Sequence, residues 1–216
     1  MRIKICGITS VEDGVAAAFA GADAIGLNFY SNSPRCIDFA TAKQIVNALP
    51  PFVESVGLFV NETLADACRS LEGIGGVRTI QWHGDQLTPS DVWPYRVIPA
   101  FSIRDANSLQ QINAFLDVCR DMHNLPAAIL VDANVPGEYG GTGQKAPWNL
   151  LADFRPGVPV VLAGGLTQEN VAEAVRLVRP YAVDVASGVE FAPGRKDRDK
   201  MRRFVAEALA ASAGIC

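Results

Sequence analysis

Short apolar segments alternate with amphipathic ones along the whole chain. Eight runs rich in Ile, Val, Leu and Ala have the length of buried strands, and most of them precede a segment with helical periodicity. The predicted strands are Arg2–Cys6, Ala24–Phe29, Glu54–Val60, Arg78–Gln81, Val97–Phe101, Ala127–Asp132, Val158–Ala163 and Ala182–Ala186. Because strands that alternate with helices pair in parallel through right-handed crossovers, eight such units predict an α/β fold, a closed (βα)₈ barrel.

Helix starts between the strands agree with this pattern. Ser10 and Asp13 have the spacing of a capping box. The pair Thr88-Pro89 places Pro at a first helical position, and a further helix is expected directly after Thr167. An open doubly wound sheet that binds a dinucleotide would carry G-x-G-x-x-G after its first strand, where this chain has the single Gly7.

The composition predicts one domain over residues 1–216, because no linker or run of charge divides the chain. Hydrophobic residues make up 49% and charged residues 19%, and the formal net charge is −4, which is typical of a soluble enzyme and argues against a nucleic-acid partner. Apolar stretches too short to cross a bilayer and the lack of a signal-peptide pattern predict a cytoplasmic protein with no membrane partner. The five scattered cysteines predict reduced thiols.

Two residues at strand ends are candidates for acid–base chemistry. Cys6 ends the first predicted strand and Asp132 ends the sixth. In a barrel, residues at the carboxyl ends of strands carry the chemistry, because the loops that shape the pocket all emerge on that face. Each also has a structural alternative, Cys6 as a small buried hydrophobe and Asp132 as a helix cap or salt-bridge partner.

Glycine segments follow the last two predicted strands. Gly164 and Gly165 come after the seventh strand, and Ser187 and Gly188 come after the eighth. The corresponding loops of such barrels frequently bind phosphate, since unpaired amides at a helix start attract anions. We therefore expect these four residues to bind a phosphorylated small molecule, although glycines also suit simple tight turns.

Further candidates line the predicted mouth of the barrel. Arg35, after the second strand, is suited to clamp a carboxylate in bidentate fashion or to lie on the surface. His83 ends the fourth strand and Asp184 lies near the end of the eighth, where each either lines the pocket or is structural. The loop 134–147 is longer than ordinary connections and suits an active-site lid, with Gly141 as a candidate substrate contact.

Several short motifs along the chain are each weak alone but specific as a set. They are Lys4-Ile5-Cys6-Gly7-Ile8-Thr9, Ser33-Pro34-Arg35, Val56-Gly57-Leu58-Phe59-Val60-Asn61, Gln81-Trp82-His83-Gly84, Gly140-Gly141-Thr142-Gly143, Leu162-Ala163-Gly164-Gly165-Leu166, Asp184-Val185-Ala186-Ser187-Gly188-Val189-Glu190 and Pro193-Gly194-x-Lys196-Asp197. Over nearly its whole length the chain resembles the phosphoribosylanthranilate isomerases of tryptophan biosynthesis. It departs from their pattern at Asn28, Trp82 and Ala186, and none of these is a proposed catalytic group.

This resemblance implies a single-domain TIM barrel without a metal or organic cofactor. The implied reaction is the Amadori rearrangement of N-(5-phosphoribosyl)anthranilate to 1-(2-carboxyphenylamino)-1-deoxyribulose 5-phosphate, which demands an acid and a base. By the resemblance Asp132 is the general acid, with a raised pKa, and Cys6 is the general base, a thiolate favoured by a nearby cation. Arg35 then binds the anthranilate carboxylate, and the two glycine loops bind the ribose phosphate.

Two other classes of function remain open at this point. The first is another phosphosugar barrel, although the related histidine-pathway isomerase uses two aspartates, and indole-glycerol-phosphate synthase needs a Lys and Glu set that Lys4 alone does not supply. The second is a barrel that binds a phosphorylated ligand without catalysis, against which the presence of both Cys6 and Asp132 argues. The sequence leaves the oligomeric state open, with a monomer preferred.

Overall fold

Eight parallel strands close into a barrel in the computed structural model, which describes residues 1–84, 95–133 and 148–214. The strands are β1 (Arg2–Cys6), β2 (Ala24–Asn28), β3 (Glu54–Val60), β4 (Val77–His83), β5 (Arg96–Ser102), β6 (Ile129–Asp132), β7 (Val160–Ala163) and β8 (Ala182–Val185). Because β1 pairs with both β2 and β8, the sheet has no free edge. The predicted (βα)₈ fold is confirmed, and each strand bound agrees with the prediction to within about two residues.

Helices and a small second sheet complete the chain outside the barrel strands. The helices are α1 (Val11–Ala20), α2 (Phe39–Ala48), α3 (Leu64–Glu72), α4 (Ala106–Asp121), α5 (Trp148–Leu151), α6 (Val171–Val178) and α7 (Arg198–Ala213). A 3₁₀ turn (Ser187–Val189) and an antiparallel pair, β9 (Glu190–Ala192) with β10 (Arg195–Lys196), connect β8 to α7. The helix start expected at Thr88-Pro89 lies outside the described residues. No described helix is long and apolar enough to cross a membrane.

Two apolar clusters occupy the two faces of the strands, because successive side chains of a strand point in opposite directions. The larger cluster packs between strands and helices and contains Ile5, Ile25 and Phe204, all fully buried. The smaller cluster lies inside the barrel, and its buried members are Ala128, Leu130, Val161, Ala163 and Ala182. Ile98 and Ala100 of β5 pack against this cluster, and the buried polar residues of the barrel strands include Lys4, Gln81 and Asp184.

The start of α1 differs from the predicted capping box in one of its two bonds. The Ser10 hydroxyl accepts the backbone N–H of Asp13, as the spacing predicts. The Asp13 carboxylate does not complete the box with Ser10 but accepts the backbone N–H of Lys196 at 3.0 Å. The difference arises from a tertiary contact, because this hydrogen bond joins α1 to β10 and helps to hold the segment after β8 in place.

The helix after Thr167 begins later than the sequence pattern predicts. The side chain of Asn170 accepts the backbone N–H of Thr167 at 2.8 Å and forms a local turn. Its backbone N–H and that of Val171 both donate to the Thr167 carbonyl. Because a side chain that bonds a neighbouring backbone group competes with helix formation, α6 begins at Val171, and a short turn precedes it next to the glycine loop.

Candidate active site

The carboxyl ends of the strands bring three predicted residues to one mouth of the barrel. Cys6 ends β1, His83 ends β4 and Asp132 ends β6. Cys6 is buried, whereas His83 and Asp132 are half-buried. Because β7 and β8 lie between β6 and β1, the thiol and the carboxylate approach this mouth from different sides.

The sulfur of Cys6 lies against Gly26 on the neighbouring strand β2. A Cβ placed on Gly26 would be 2.5 Å from Sγ of Cys6 and 3.0 Å from Nζ of Lys4, so both groups use the space that the glycine leaves open. Cys6 and Lys4 alternate with Ile5, which packs against the helices, and therefore both point into the barrel. Lys4 was not among the predicted site residues. The available signal was a lysine two positions before Cys6, flanked on both sides by isoleucine.

The thiol of Cys6 is the resting form at neutral pH. Burial raises the pKa of Cys6 above its ordinary value of 9.0, because a charged sulfur inside the barrel loses its hydration. Lys4 and Lys196 act in the opposite direction, and Asp184 adds to the upward shift. The cation expected beside Cys6 is present, but burial outweighs it. The role of Cys6 as a thiolate base stays a prediction.

Lys4 forms a buried ion pair with Asp184. Its Nζ donates to Oδ1 of Asp184 at 2.9 Å, and the side chains are 7% and 8% exposed. The two residues are direct partners in the β1–β8 register. Burial lowers the pKa of Lys4, but the charges of Asp184 and Cys6 more than offset this effect, so the ammonium stays charged. Asp184 thus has a structural partner and also lies next to the candidate base.

His83 is a neutral imidazole in this site. Its Nε2 lies 2.8 Å from the side-chain nitrogen of Gln81, an amide group that can only donate, so Nε2 accepts. Burial lowers the pKa of His83 to about 4, with a further lowering by Lys4 and an opposing effect of Asp184. A cation buried next to Lys4 would be unfavourable, so His83 can contact a ligand only as an uncharged group near neutral pH.

Arg35 is held by a carboxylate of the protein itself. Its Nε and Nη2 donate to the two oxygens of Glu190 at 2.8 and 2.6 Å. Lys196, whose side chain is fully buried, contacts the same carboxylate at 2.8 Å. The aliphatic part of Arg35 lies on Gly7, where any Cβ would collide with it. One edge of the guanidinium is therefore occupied, and the other edge, with Nη1, remains for a ligand.

Glu190 and Lys196 were quoted in the sequence motifs but received no role there. Glu190 is 7% exposed, and the charges of Arg35 and Lys196 lower its pKa although burial raises it. Burial lowers the pKa of Lys196 more than Glu190 restores it. The signal that could have identified them is two opposite charges close together in an apolar segment after the last strand.

The two predicted phosphate loops touch each other. Gly164 and Gly165 adopt positive φ angles of 94° and 63°, which favour glycine. Ser187 and Gly188 form the 3₁₀ turn after β8, and a Cβ on Gly188 would collide with the carbonyl oxygen of Leu166. The absence of a side chain at Gly188 lets the two backbone segments approach each other, as an anion site made of amide groups requires.

Some predicted residues cannot be placed. Gly141, the lid segment 134–147 and Cys216 lie outside the described residues. The other cysteines that are described, Cys36, Cys68 and Cys119, are free thiols. Across residues 1–84, 95–133 and 148–214, no group of three or more His, Cys, Asp and Glu side chains has the arrangement of a metal site.

The arrangement defines an α/β-barrel enzyme that works by acid–base chemistry. The thiol and the carboxylate stand at the mouth where barrel enzymes react their substrates, and the last two loops are shaped for an anion. Positive charge from Arg35, Lys4 and Lys196 surrounds the thiol side of this mouth.

Comparisons with known proteins identify the particular family. The family model described as N-(5'phosphoribosyl)anthranilate (PRA) isomerase matches residues 3–207. The chain is 48% identical over 206 residues to the N-(5'-phosphoribosyl)anthranilate isomerase of Acidithiobacillus ferrooxidans, which covers 95% of this chain and 96% of that protein. The chain therefore belongs to the phosphoribosylanthranilate isomerase family, as its sequence motifs predicted.

Solved structures agree with this assignment. The crystal structure of the phosphoribosyl anthranilate isomerase of Thermotoga maritima matches with a TM-score of 0.83 at 36% identity, covering 97% of this chain and 99% of that chain. A phosphoribosyl anthranilate isomerase in complex with reduced 1-(o-carboxyphenylamino)-1-deoxyribulose 5-phosphate matches with a TM-score of 0.80 at 32% identity and the same coverage.

Proposed function

We propose that this chain isomerises N-(5-phosphoribosyl)anthranilate to 1-(2-carboxyphenylamino)-1-deoxyribulose 5-phosphate in tryptophan biosynthesis. The observation that carries the proposal is the placement of Cys6 and Asp132 on different sides of one barrel mouth. Membership of the isomerase family supports it. The complex of a relative with a reduced form of the same product also supports it.

Asp132 and Cys6 divide the two proton transfers between them. Asp132 donates a proton to the furanose ring oxygen as the ring opens to a Schiff base. Cys6, in its thiolate form, then takes the proton from C2 of the sugar and produces an enolamine. The enolamine tautomerises to the ketone of the product, so no redox group enters the balance of this internal rearrangement.

The remaining residues hold the two ends of the substrate. Arg35 binds the anthranilate carboxylate through the edge of its guanidinium that Glu190 leaves open, because a planar fork matches a carboxylate. The glycine loops at Gly164, Gly165, Ser187 and Gly188 bind the ribose phosphate. His83, Asp184 and Gly141 stay candidate contacts. Binding energy from the phosphate, which is remote from the reacting bonds, positions the sugar between acid and base.

Turnover of freshly made phosphoribosylanthranilate, followed by the loss of its fluorescence, tests the proposal. We expect steady-state conversion, with the Cys6→Ser and Asp132→Asn variants as inactive controls of equal fold. Binding of the substrate without conversion would indicate the non-catalytic barrel instead. Conversion of a histidine-pathway aminoaldose or of the indole-glycerol-phosphate synthase substrate in its place would indicate a different phosphosugar enzyme.

Three further statements belong to this proposal. Residues 1–216 form one domain, the protein is cytoplasmic, and neither nucleic acid nor membrane is its partner. We keep a monomer as the preferred state, whereas a solved relative from Thermotoga maritima is described as dimeric. Sedimentation equilibrium over a range of protein concentrations decides between the two states.

A further inference from the structure

We infer that Lys4, held in place by Asp184, is a positioning residue that stabilises the thiolate of Cys6 when it acts as the base. The inference rests on the proposed function, in which Cys6 takes a proton. In that step the Cys6 sulfur carries a negative charge in a buried position, and the positive charge of Lys4 stabilises it.

Geometry brings the ammonium to the sulfur. Sγ of Cys6 and Nζ of Lys4 lie 2.5 and 3.0 Å from the same point above Gly26, so they cannot be further apart than these two distances combined. The residues stand two positions apart on β1 and share its inward face. Oδ1 of Asp184 accepts a hydrogen bond from Nζ of Lys4 at 2.9 Å and so restricts the position of the ammonium.

The other cations around Cys6, Lys196 and Arg35, share one carboxylate, that of Glu190. Lys196 donates both to Glu190 at 2.8 Å and to the carbonyl of Ala186 at 3.1 Å. Arg35 gives one full edge of its guanidinium to Glu190. Among the described residues Lys4 forms its ion pair with Asp184, and after burial Lys4 has the largest effect on the Cys6 pKa.

His83 is the remaining titratable group near this pair on β4. Its pKa is about 4, so it is uncharged over the range in which the thiol ionises. The charge on Cys6 is therefore governed mainly by Lys4, Lys196 and Asp184, of which the first two favour the thiolate and the third opposes it. Arg35, whose charge also interacts with Cys6, favours the thiolate as well. The opposite effects of Lys4 and Asp184 allow a test with two shifts of opposite sign.

The test measures the ionisation of Cys6 directly by the pH dependence of its alkylation with iodoacetamide. The protein carries replacements of Cys36, Cys68, Cys119 and Cys216, so that the rate reports only Cys6. In this background Lys4→Met should raise the midpoint of the rate–pH curve by about one unit or more, which slows alkylation about tenfold at a fixed pH below the midpoint. Asp184→Asn should lower the midpoint, because the amide oxygen can still accept the hydrogen bond that holds Lys4, whereas the negative charge that opposes the thiolate is removed. Lys43→Met, on an exposed lysine of α2, should leave it unchanged.

Stability and turnover separate this role from a purely structural one. Lys4→Met leaves Asp184 buried without a partner, so the variant is checked by circular dichroism, and Lys4→Met/Asp184→Asn serves as a version with no unpaired charge. A folded Asp184→Asn protein with an unshifted midpoint would overturn the inference, as would an unshifted Lys4→Met protein. If the midpoints shift as expected while Cys6→Ser retains turnover, the charge effect holds and the assignment of Cys6 as the base fails.

Discussion

Arg35 donates two hydrogen bonds to the two carboxylate oxygens of Glu190, at 2.8 Å from Nε and 2.6 Å from Nη2. The carboxylate is 5% exposed as a side chain and also binds Lys196. A fork–fork pair of this kind specifies the plane of the guanidinium as well as its position. Glu190 thus orients the free edge of Arg35. In the proposed function, binding of the substrate carboxylate by Arg35 therefore depends on a residue that need not touch the substrate.

Arg35→Lys should raise the KM for phosphoribosylanthranilate about tenfold or more, because an ammonium offers a point charge in place of a planar fork. Glu190→Gln should raise KM in the same direction and reduce stability, since it weakens the pairing of two cations. KM, kcat and inhibition by anthranilate-bearing analogues are the measurements, with Arg155→Lys on the exposed surface as the matched control. An unchanged KM in Arg35→Lys would show that Arg35 does not bind the substrate carboxylate. A loss of affinity for inorganic phosphate in this variant would show that Arg35 binds the phosphate end of the substrate instead.

Asp132→Asn should lower kcat about 10²–10⁴-fold, because an amide cannot donate the proton that opens the ring. Affinity for the reduced product analogue should stay nearly the same, since shape and polarity change little. Calorimetric titration with that analogue measures the affinity, and single-turnover rates measure the loss of catalysis. Asp121→Asn, on an exposed residue of α4, is the control. Near wild-type turnover in the Asp132 variant would exclude it as the acid.

Cys6→Ser should keep the fold but lose turnover by orders of magnitude. The change in volume is small, whereas a hydroxyl ionises far too weakly to act as a base near neutral pH. Thermal unfolding and the fluorescence assay measure the two effects, and Cys68→Ser on α3 is the matched control. Substrate or a phosphate analogue should also protect Cys6 from alkylation. A folded Ser variant with wild-type rates would mean that another group takes the C2 proton.

Gly188→Ala should weaken the binding of inorganic phosphate and raise KM, because its Cβ would force the two glycine loops apart at Leu166. Gly73→Ala is the comparison, since a Cβ there meets nothing within 4 Å. That change should leave activity unchanged and stability equal or slightly higher. Competitive inhibition by phosphate gives the affinity. Equal inhibition constants in the two variants would place the phosphate elsewhere.

His83 should make the protein less stable at acid pH. Its pKa is about 4 in the folded protein against an ordinary value of 6.5, so the unfolded chain binds the proton at higher pH. The free energy of unfolding should therefore fall as the pH drops from about 6.5 to about 4, by at most about 3 kcal/mol. Urea unfolding at several pH values measures this slope. His83→Gln should reduce the slope between pH about 6.5 and about 4, and His123→Asn, on an exposed residue, should leave it unchanged.

The sequence alone was enough to predict the eight strands, the closed barrel and the family. Apolar periodicity is a local property, so the residues of each strand are enough to predict which of its side chains are buried. The strand ends also predicted Cys6, His83 and Asp132 at one mouth, because all the strands of a parallel barrel end on the same side.

Only the tertiary structure decided which charges meet. Lys4 and Asp184 are 180 residues apart in the chain, and Arg35 and Glu190 are 155 apart, so no local pattern pairs them. Barrel closure places β1 beside β8 and so pairs Lys4 with Asp184. The segment after β8 then brings Glu190 to Arg35, which follows β2. The state of Cys6 also depends on this closure, because its pKa results from burial opposed by two lysines and reinforced by one aspartate. The loss of hydration on burial and the interaction between two charges both depend on the three-dimensional arrangement of the groups, which only the folded chain provides.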